Sequence, residues 1–386
     1  MKKFLSLVLA LAMVLVCVAC GDTTTTSSND ATSSNDADNT DKGTLFIGAT
    51  GPLTGSAASY GISVKEGAQL AVEELNANGG INGMQVKFEI KDDEADAEKA
   101  QVGYNTLMDD GMQIALGSVT TDSCKAFAEL ANEDELFFIT PSASAAEVVK
   151  NKYAFRVCFG DPDQGKLAAE NLTANYTNIG VIYDNSDPYS LGVYTAFAEA
   201  MTTLNKTYTV KEFDKDTNRD VSTQVAELKD CDVIFLPIYY TEAALIAQEV
   251  KKIGSNAALF GCDGFDGIAA SLEGQEIPNS IKYITPFDAN STEEVSAKFT
   301  AAYKAKYNGK TPDQFAADGY DAIMVLAQAI KAAGVENADI EIADLSAKVY
   351  EVMTSADFTF VGATGTMTWN AQGEPTKVPV IVDLAK

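Results

Sequence analysis

Three short stretches concentrate hydroxyls and glycines: TGPLTGSAASY from Thr50 to Tyr60, GSVTTDS from Gly117 to Ser123, and TPSAS from Thr140 to Ser144. Each follows an apolar run and precedes a helical pattern. At such a place, free backbone N–H groups and neutral side-chain donors receive an anion, and a carboxylate suits this set. Three further stretches occupy matching places later in the chain: YDNSDPY (Tyr183–Tyr189), PIYYTE (Pro237–Glu242) and CDGFDG (Cys262–Gly267). They offer tyrosines and one conspicuous acid, Asp263, and suit an ammonium beside an apolar group. Together the two sets can hold a molecule that carries both charges.

Bond-making chemistry has little to work with. The chain contains no histidine, so Ser-His-Asp and Cys-His nucleophiles and imidazole-based zinc sites are excluded. No Gly-Lys-Ser/Thr follows the first loop, and its glycines at 48, 51 and 55 do not form GxGxxG, so it is neither a P-loop nor a dinucleotide fingerprint. No GxSxG elbow occurs. A carboxylate pair, or a lysine or tyrosine base, is all that an enzyme would have left. With 55 acidic residues, neighbouring carboxylates arise by chance. The expectation is a binding protein without catalysis and without a cofactor.

Metal sites fare no better. DKDTNRDVSTQV starts like a calcium loop at Asp214, Asp216, Asn218 and Asp220. Arg219 stands where that loop needs glycine, however, and Val225 where it needs glutamate. It reads as a loop before a helix capped by Asp220. DDEADAE (Asp92–Glu98) reads as a strand end followed by a helix capped by Asp96. Of the cysteines at 124, 158, 231 and 262, free buried thiols are expected. Cys231 precedes one strand and Cys262 follows another, so in a parallel sheet they lie at opposite ends, too far apart to bridge. A Cys124–Cys158 bridge stays open.

The formal charge of -27 rests on 28 basic against 55 acidic residues, with arginine only at 156 and 219. Nucleic acid binding would need a basic face, so it is not expected.

The elements that must position these residues alternate regularly. The first series runs TLFIGA, a helix over Gly61–Asn78 ended by Gly79 and Gly80, MQVKFEI, a helix to Asp110, QIALGS, a helix over Asp122–Asn132, and LFFITP. The second runs NIGVIYD, a helix from Tyr189, YTVKEF, a helix from Asp220, DVIFLP, a helix through Lys252, and ALFGCDG. Alternation of this kind predicts an α/β fold: two Rossmann-like lobes with parallel sheets flanked by helices. The six loops then lie at the carboxyl ends of the strands, where such sheets bind ligands.

Residues 1–19 have Lys2 and Lys3 before the apolar run FLSLVLALAMVLVCVA, the layout of a secretory signal peptide. The run is short for a spanning helix. Its end, VCVACG, resembles a bacterial lipoprotein signal, which implies lipidation at Cys20; cleavage without a lipid is the alternative. Residues 20–42 contain no large apolar side chain and are expected to form a disordered tether with a reach of roughly 25 Å. The protein is then extracytoplasmic, anchored to the outer face of the cell membrane, and periplasmic if the cell is Gram-negative.

From Thr44 to the C-terminus the chain resembles the periplasmic-type solute-binding proteins of branched-chain amino acid ABC transporters. GPLTGSAASYG, GAQLAVEELNANGGING, PSASAAEV, DPDQG, YYTEAALIAQEVKKIG, GCDGFDG and WNAQGEP carry the resemblance. It implies the type I periplasmic binding protein fold with three inter-lobe crossovers, near Asp161–Gly165, Pro286–Asn290 and Trp369–Pro375. Lobe 1 would be 43–161 plus 290–370, and lobe 2 would be 162–289 plus 371–386. It implies an amino acid ligand, most readily branched-chain, and a monomer that serves a membrane permease. An alternative is a sensing module of the same fold for amides, urea or other amino acids, working with a signalling receptor. Carried over by position, the ligand's carboxylate falls to Thr121, to backbone groups at Ser142 and Ala143, and to the Ser144 hydroxyl. The ammonium falls to Asp263, where relatives often have glutamate, with Tyr189 closing over it. Tyr60, Tyr239 and Phe315 wall the side-chain pocket.

Overall fold

The computed structural model describes residues 42–276 and 280–384. The segments expected to be a signal peptide, a lipidation site at Cys20 and a tether up to residue 41 lie outside the described residues. Lys42, expected as the last tether residue, is tied to the body: its ammonium donates to Asn82 O at 3.0 Å, and its carbonyl accepts from Ala338 N.

The chain builds two sheets in turn. The first is formed by β1 (Thr44–Gly51), β2 (Gln85–Asp92), β3 (Ile114–Gly117), β4 (Phe138–Thr140) and β5 (Ala154–Arg156). Between them run α1 (Ala58–Ala77), α2 (Ala97–Asp109) and α3 (Thr121–Glu133). The strand order is β2-β1-β3-β4-β5, all parallel. Next come α4 (Asp161–Asn175), β6 (Ile179–Asp184), α5 (Pro188–Thr203), β7 (Thr209–Phe213), α6 (Ser222–Glu227) and β8 (Val233–Leu236). They are followed by α7 (Tyr240–Lys252), β9 (Ala258–Gly261), α8 (Ile268–Ser271) and β10 (Ile281–Thr285). After α9 (Glu294–Lys306), α10 (Gln314–Ala332), α11 (Ile342–Met353) and the hairpin β11 (Phe360–Gly362) and β12 (Gly365–Met367), the chain ends its described part in β13 (Val380–Asp383). The second sheet has the order β13-β10-β9-β8-β6-β7. Its edge strand β13 runs antiparallel to β10, a departure from the all-parallel expectation.

Side-chain alternation along the strands fills both faces of each sheet. Leu45, Ile47 and Ala49 of β1 join the core under α1, α10 and α11, while Phe46 joins Tyr104 and Phe127 on the other face. Ile234 and Leu236 of β8 likewise face one cluster, and Val233 and Phe235 the other. Each leucine, isoleucine, valine or phenylalanine among them contributes about 1.5–3 kcal/mol on burial. Because α10 packs in the first lobe's core and β13 completes the second sheet, the backbone passes between lobes three times: after β5, after β10 and after β12.

Local chemistry sets the element ends. Asp96, Asp187 and Asp313 cap α2, α5 and α10 by accepting from Lys99 N, Ser190 N and Ala316 N. Asp220, expected to cap the helix after DKDTNRD, stands one residue too early. Val221 holds the cap position, and Asp220 Oδ1 turns back onto Ser222 N. Asp214 similarly accepts from Asp216 N and Thr217 N, so its carboxylate serves the loop's own backbone. Gly80 ends α1 with a φ of 76°, and a Cβ there would lie 1.8 Å from Met84 O. Helices α1 and α10 cross closely, since a Cβ on Gly67 would meet Ala316 O at 1.9 Å. The cysteines at 124, 158, 231 and 262 are free; Cys231 is half-buried and the others buried.

Candidate functional site

In both sheets the strand order reverses beside the first strand, between β1 and β3 and between β6 and β8. The loops leaving these strands face one another, and they are the six stretches singled out in the sequence. They close on a small space, about 10 Å³, lined by Tyr60, Val119, Thr120, Thr121, Ser142, Tyr189, Tyr239, Asp263, Gly264 and Phe315. Of the residues expected in a site, Tyr60, Thr121, Ser142, Tyr189, Tyr239, Asp263 and Phe315 are therefore brought together. Ala143 and Ser144 are buried beside Ser142 and do not line this space.

On the first-lobe side the wall is hydroxylic. A β-bulge between Gly48 and Ala49 shifts the β1–β3 register just below the Gly117–Ser123 loop. Thr120 takes the cap position of α3, yet its hydroxyl caps nothing; Oγ1 is buried without a partner in the protein. Thr121 is the first residue of the helix, so it is not a cap either. Ser142 donates its hydroxyl to Val119 O at 2.7 Å. The backbone of Ala143 is already engaged, its N–H on Thr140 Oγ1 and its carbonyl on the Cys158 thiol.

On the second-lobe side the wall is acidic. Asp263 follows β9 and is 5 % exposed. Its Oδ1 accepts from Tyr189 Oη at 2.7 Å, and its N–H donates to Gln164 Oε1 at 3.1 Å. Burial pushes its carboxyl up to about 6, against the pull of the Tyr189 and Gln164 hydrogen bonds. Burial also holds the Tyr189 phenol far above its ordinary range, so it remains a donor.

The lobes meet through Tyr60. It opens α1 in the first lobe, and its Oη donates to Gly264 O at 2.5 Å and accepts from Tyr240 N at 3.1 Å, both in the second lobe. Its ring stacks on Phe315 at 4.1 Å and meets the edges of Tyr239 and Tyr240 at 5.4 and 5.0 Å. Tyr239 in turn stacks on Tyr189 at 5.1 Å. Of the two adjacent tyrosines, Tyr239 lines the space and Tyr240 packs outside it. Thr241 Oγ1 adds a bond to Ser56 O at 2.8 Å across the same gap. Gln314 at the start of α10 reaches Asp263 O at 2.8 Å.

The sequence reading missed Asp161 and Gln164. Asp161 opens α4, is 2 % exposed, and neither carboxylate oxygen has a hydrogen-bond partner. Burial pushes it up to about 8, with Asp263 adding like-charge repulsion and Ser144 pulling the other way. The amide nitrogen of Gln164 is also buried without a partner. The signal was DPDQG, whose aspartate before proline reads equally well as an ordinary helix start. The site as a whole can orient a small dipolar molecule between neutral donors and buried acids, with an aromatic wall between.

A family profile described as "Periplasmic binding protein" matches residues 44–380. The Leu/Ile/Val-binding protein BraC3 of Rhizobium johnstonii is 27% identical over 329 residues, 84% of this chain and 89% of that protein. A leucine-, isoleucine-, valine-, threonine-, and alanine-binding protein of Pseudomonas aeruginosa is 27% identical, over 81% of this chain and 84% of its own length. Among solved structures, a leucine binding protein LivK from Thermotoga maritima superposes with a TM-score of 0.78 at 27% identity, covering 87% of this chain and 94% of that one. The branched-chain amino acid transporter substrate binding protein LivJ of Streptococcus pneumoniae, in complex with isoleucine, gives 0.73 at 27% identity, over 87% and 100% of the two chains.

Proposed function

The chain belongs to the periplasmic binding protein family, and on that premise we propose that it captures an amino acid with a branched aliphatic side chain between its lobes and hands it unchanged to an ABC importer. One observation carries this reading. Within a single small space, buried hydroxyls of the first lobe face the buried carboxylate of Asp263 from the second, with no arginine or lysine lining it. That arrangement matches a zwitterion taken by its two poles.

In this reading Thr120, Thr121 and Ser142 meet the carboxylate, with Ser144 behind them, and Asp263 meets the ammonium, backed by Asp161 and Gln164. Tyr60, Tyr239 and Phe315 enclose the side chain, and Tyr189 closes over the charged end. Hydrogen bonds to charged groups count for about 1.5–3 kcal/mol each once water is excluded. The lobes, divided near residues 161, 290 and 370, move as jaws about the three passages. A monomer tethered through a lipid on Cys20 would keep the site near its permease; mass spectrometry of the mature N-terminus tests the anchor.

A thermal-shift panel of the twenty amino acids and several amides tests the function. Leucine, isoleucine or valine at 100 times Kd should stabilise the protein by about 2.7 kcal/mol. A panel without any shift refutes the proposal.

A further inference from the structure

The motif WNAQGEP, residues 369–375, does not line the ligand space, yet it is built around one side chain. Arg156 closes β5 and is fully buried. Its main-chain N–H donates to Gly373 O at 3.2 Å, and its carbonyl accepts from Trp369 Nε1 at 2.7 Å. Its guanidinium is divided between two customers. Nε and Nη2 fork onto the Glu374 carboxylate, the former at 2.8 Å. Nη1 donates to the carbonyls of Ser144, Ala145 at 3.2 Å and Ala143 at 3.5 Å. The turn cannot slide away from this seat. Trp369 and Pro375 close it by a bridge, Gly373 has a φ of 77°, and a Cβ at Gly373 would stand 2.1 Å from Ala154 O.

A peptide unit is planar and trans, so a carbonyl drawn to one side turns the N–H of the same unit to the other. Three successive carbonyls gathered on Nη1 therefore turn the N–H groups of Ser144, Ala145 and Ala146 away from Arg156. A forked guanidinium–carboxylate pair fixes orientation as well as charge. Arg156 thus sets the aim of the Ala143–Ala145 backbone directly after Ser142, which lines the ligand space, and Glu374 sets Arg156 from within the third passage between the lobes.

We infer that Arg156 and Glu374 form a positioning pair that tunes how the site reads a ligand's carboxylate, and that couples this reading to the seating of the third passage. The inference rests on the proposed amino acid site. It assigns the pair to one pole of the ligand: neither residue hydrogen-bonds Asp263 or the aromatic wall, and both variants below keep at residue 156 the positive charge that favours the Asp263 carboxylate.

The test compares an amino acid with its amide, which keeps the ammonium and side chain and lacks the anionic pole. Leucine, or the amino acid giving the largest thermal shift, and its carboxamide are titrated calorimetrically into the full protein, the amide by competition. Glu374→Gln keeps the shape and removes the charge; Arg156→Lys keeps the charge and removes the fork. The wild type should prefer the acid. Both variants should lose at least tenfold of that preference, with amide affinity changed by less than threefold and Glu374→Asp restoring part of it. Equal losses for acid and amide would make the pair a general structural prop and overturn the inference, as would an unchanged preference. A wild type that binds neither ligand, nor any other amino acid, refutes the site itself instead.

Discussion

Replacing Tyr60 by phenylalanine removes one oxygen and leaves the ring, with its stacking on Phe315, in place. That oxygen satisfies two backbone groups of the opposite lobe, Gly264 O and Tyr240 N. In the closed arrangement both lose their partner. Tyr240 is half-buried and its N–H can regain water, whereas Gly264 is buried and its carbonyl cannot. A buried group left unsatisfied costs about 1–3 kcal/mol, which is about 5- to 150-fold in an equilibrium constant. Once the lobes part, both groups meet water, so the cost falls on closure alone. Tyr60→Phe should therefore weaken amino acid binding by that factor in isothermal titration and change the melting temperature without ligand by no more than a few degrees. An affinity within twofold of the parent would show that Tyr60 does not latch the lobes. A lowered melting temperature without ligand would place its contribution in the fold of the first lobe.

Other outcomes follow from buried charges. Asp263→Asn should weaken binding by about 2 kcal/mol or more, because the ammonium then faces a neutral amide. Since the Asp263 carboxyl lies at about 6 and the ammonium needs the ionised form, affinity of the parent should fall as pH drops through 6, and the Asn variant should flatten that profile in titrations between pH 5 and 8. Asp161 has its carboxyl raised from 3.8 to about 8. Between those values the folded chain holds a proton that the unfolded chain has released, so stability declines as pH rises across that window. Asp161→Asn should melt above the parent at pH 8, by a free energy on the order of a few kcal/mol, match it near pH 4, and bind ligand more weakly; equal melting at both pH values would refute the reading. Lys377 is buried against Asp318 at 3.3 Å and donates to Val157 O and Thr364 Oγ1 at 2.6 Å. Lys377→Met leaves Asp318 unpaired and should cost about 3–5 kcal/mol in urea unfolding.

Much of this architecture was legible because its strands are continuous apolar runs bounded by turn residues and its helices keep an apolar face. The strands β1 to β4 and β6 to β9 were placed in this way, as were the cap at Asp96 and the end of α1 at Gly80. The strands β5 and β10 to β13 were not, being three to five residues long and set among loops whose pairing depends on where the chain returns after a passage. The antiparallel direction of β13 follows from that return and has no local signature. Six loops at the strand ends were enough to gather most of the site. What they could not reveal is which polar atoms end up buried without partners. Asp161 reads as a helix start, and only the packing of Gly192, where a Cβ would stand 2.4 Å from its Oδ2, shuts it away from water. Nor does any sequence pattern link Tyr60 to Gly264, 204 positions on.

Trp369 is the only tryptophan in the chain, and it sits with its indole on the Arg156 carbonyl, inside the turn that precedes the last passage between lobes. Indole emission from the unlabelled protein therefore comes from a single known place. Under the proposed closure it is a built-in gauge at the pivot, and comparing its time course with heat release would separate docking of the ligand from the swing that follows.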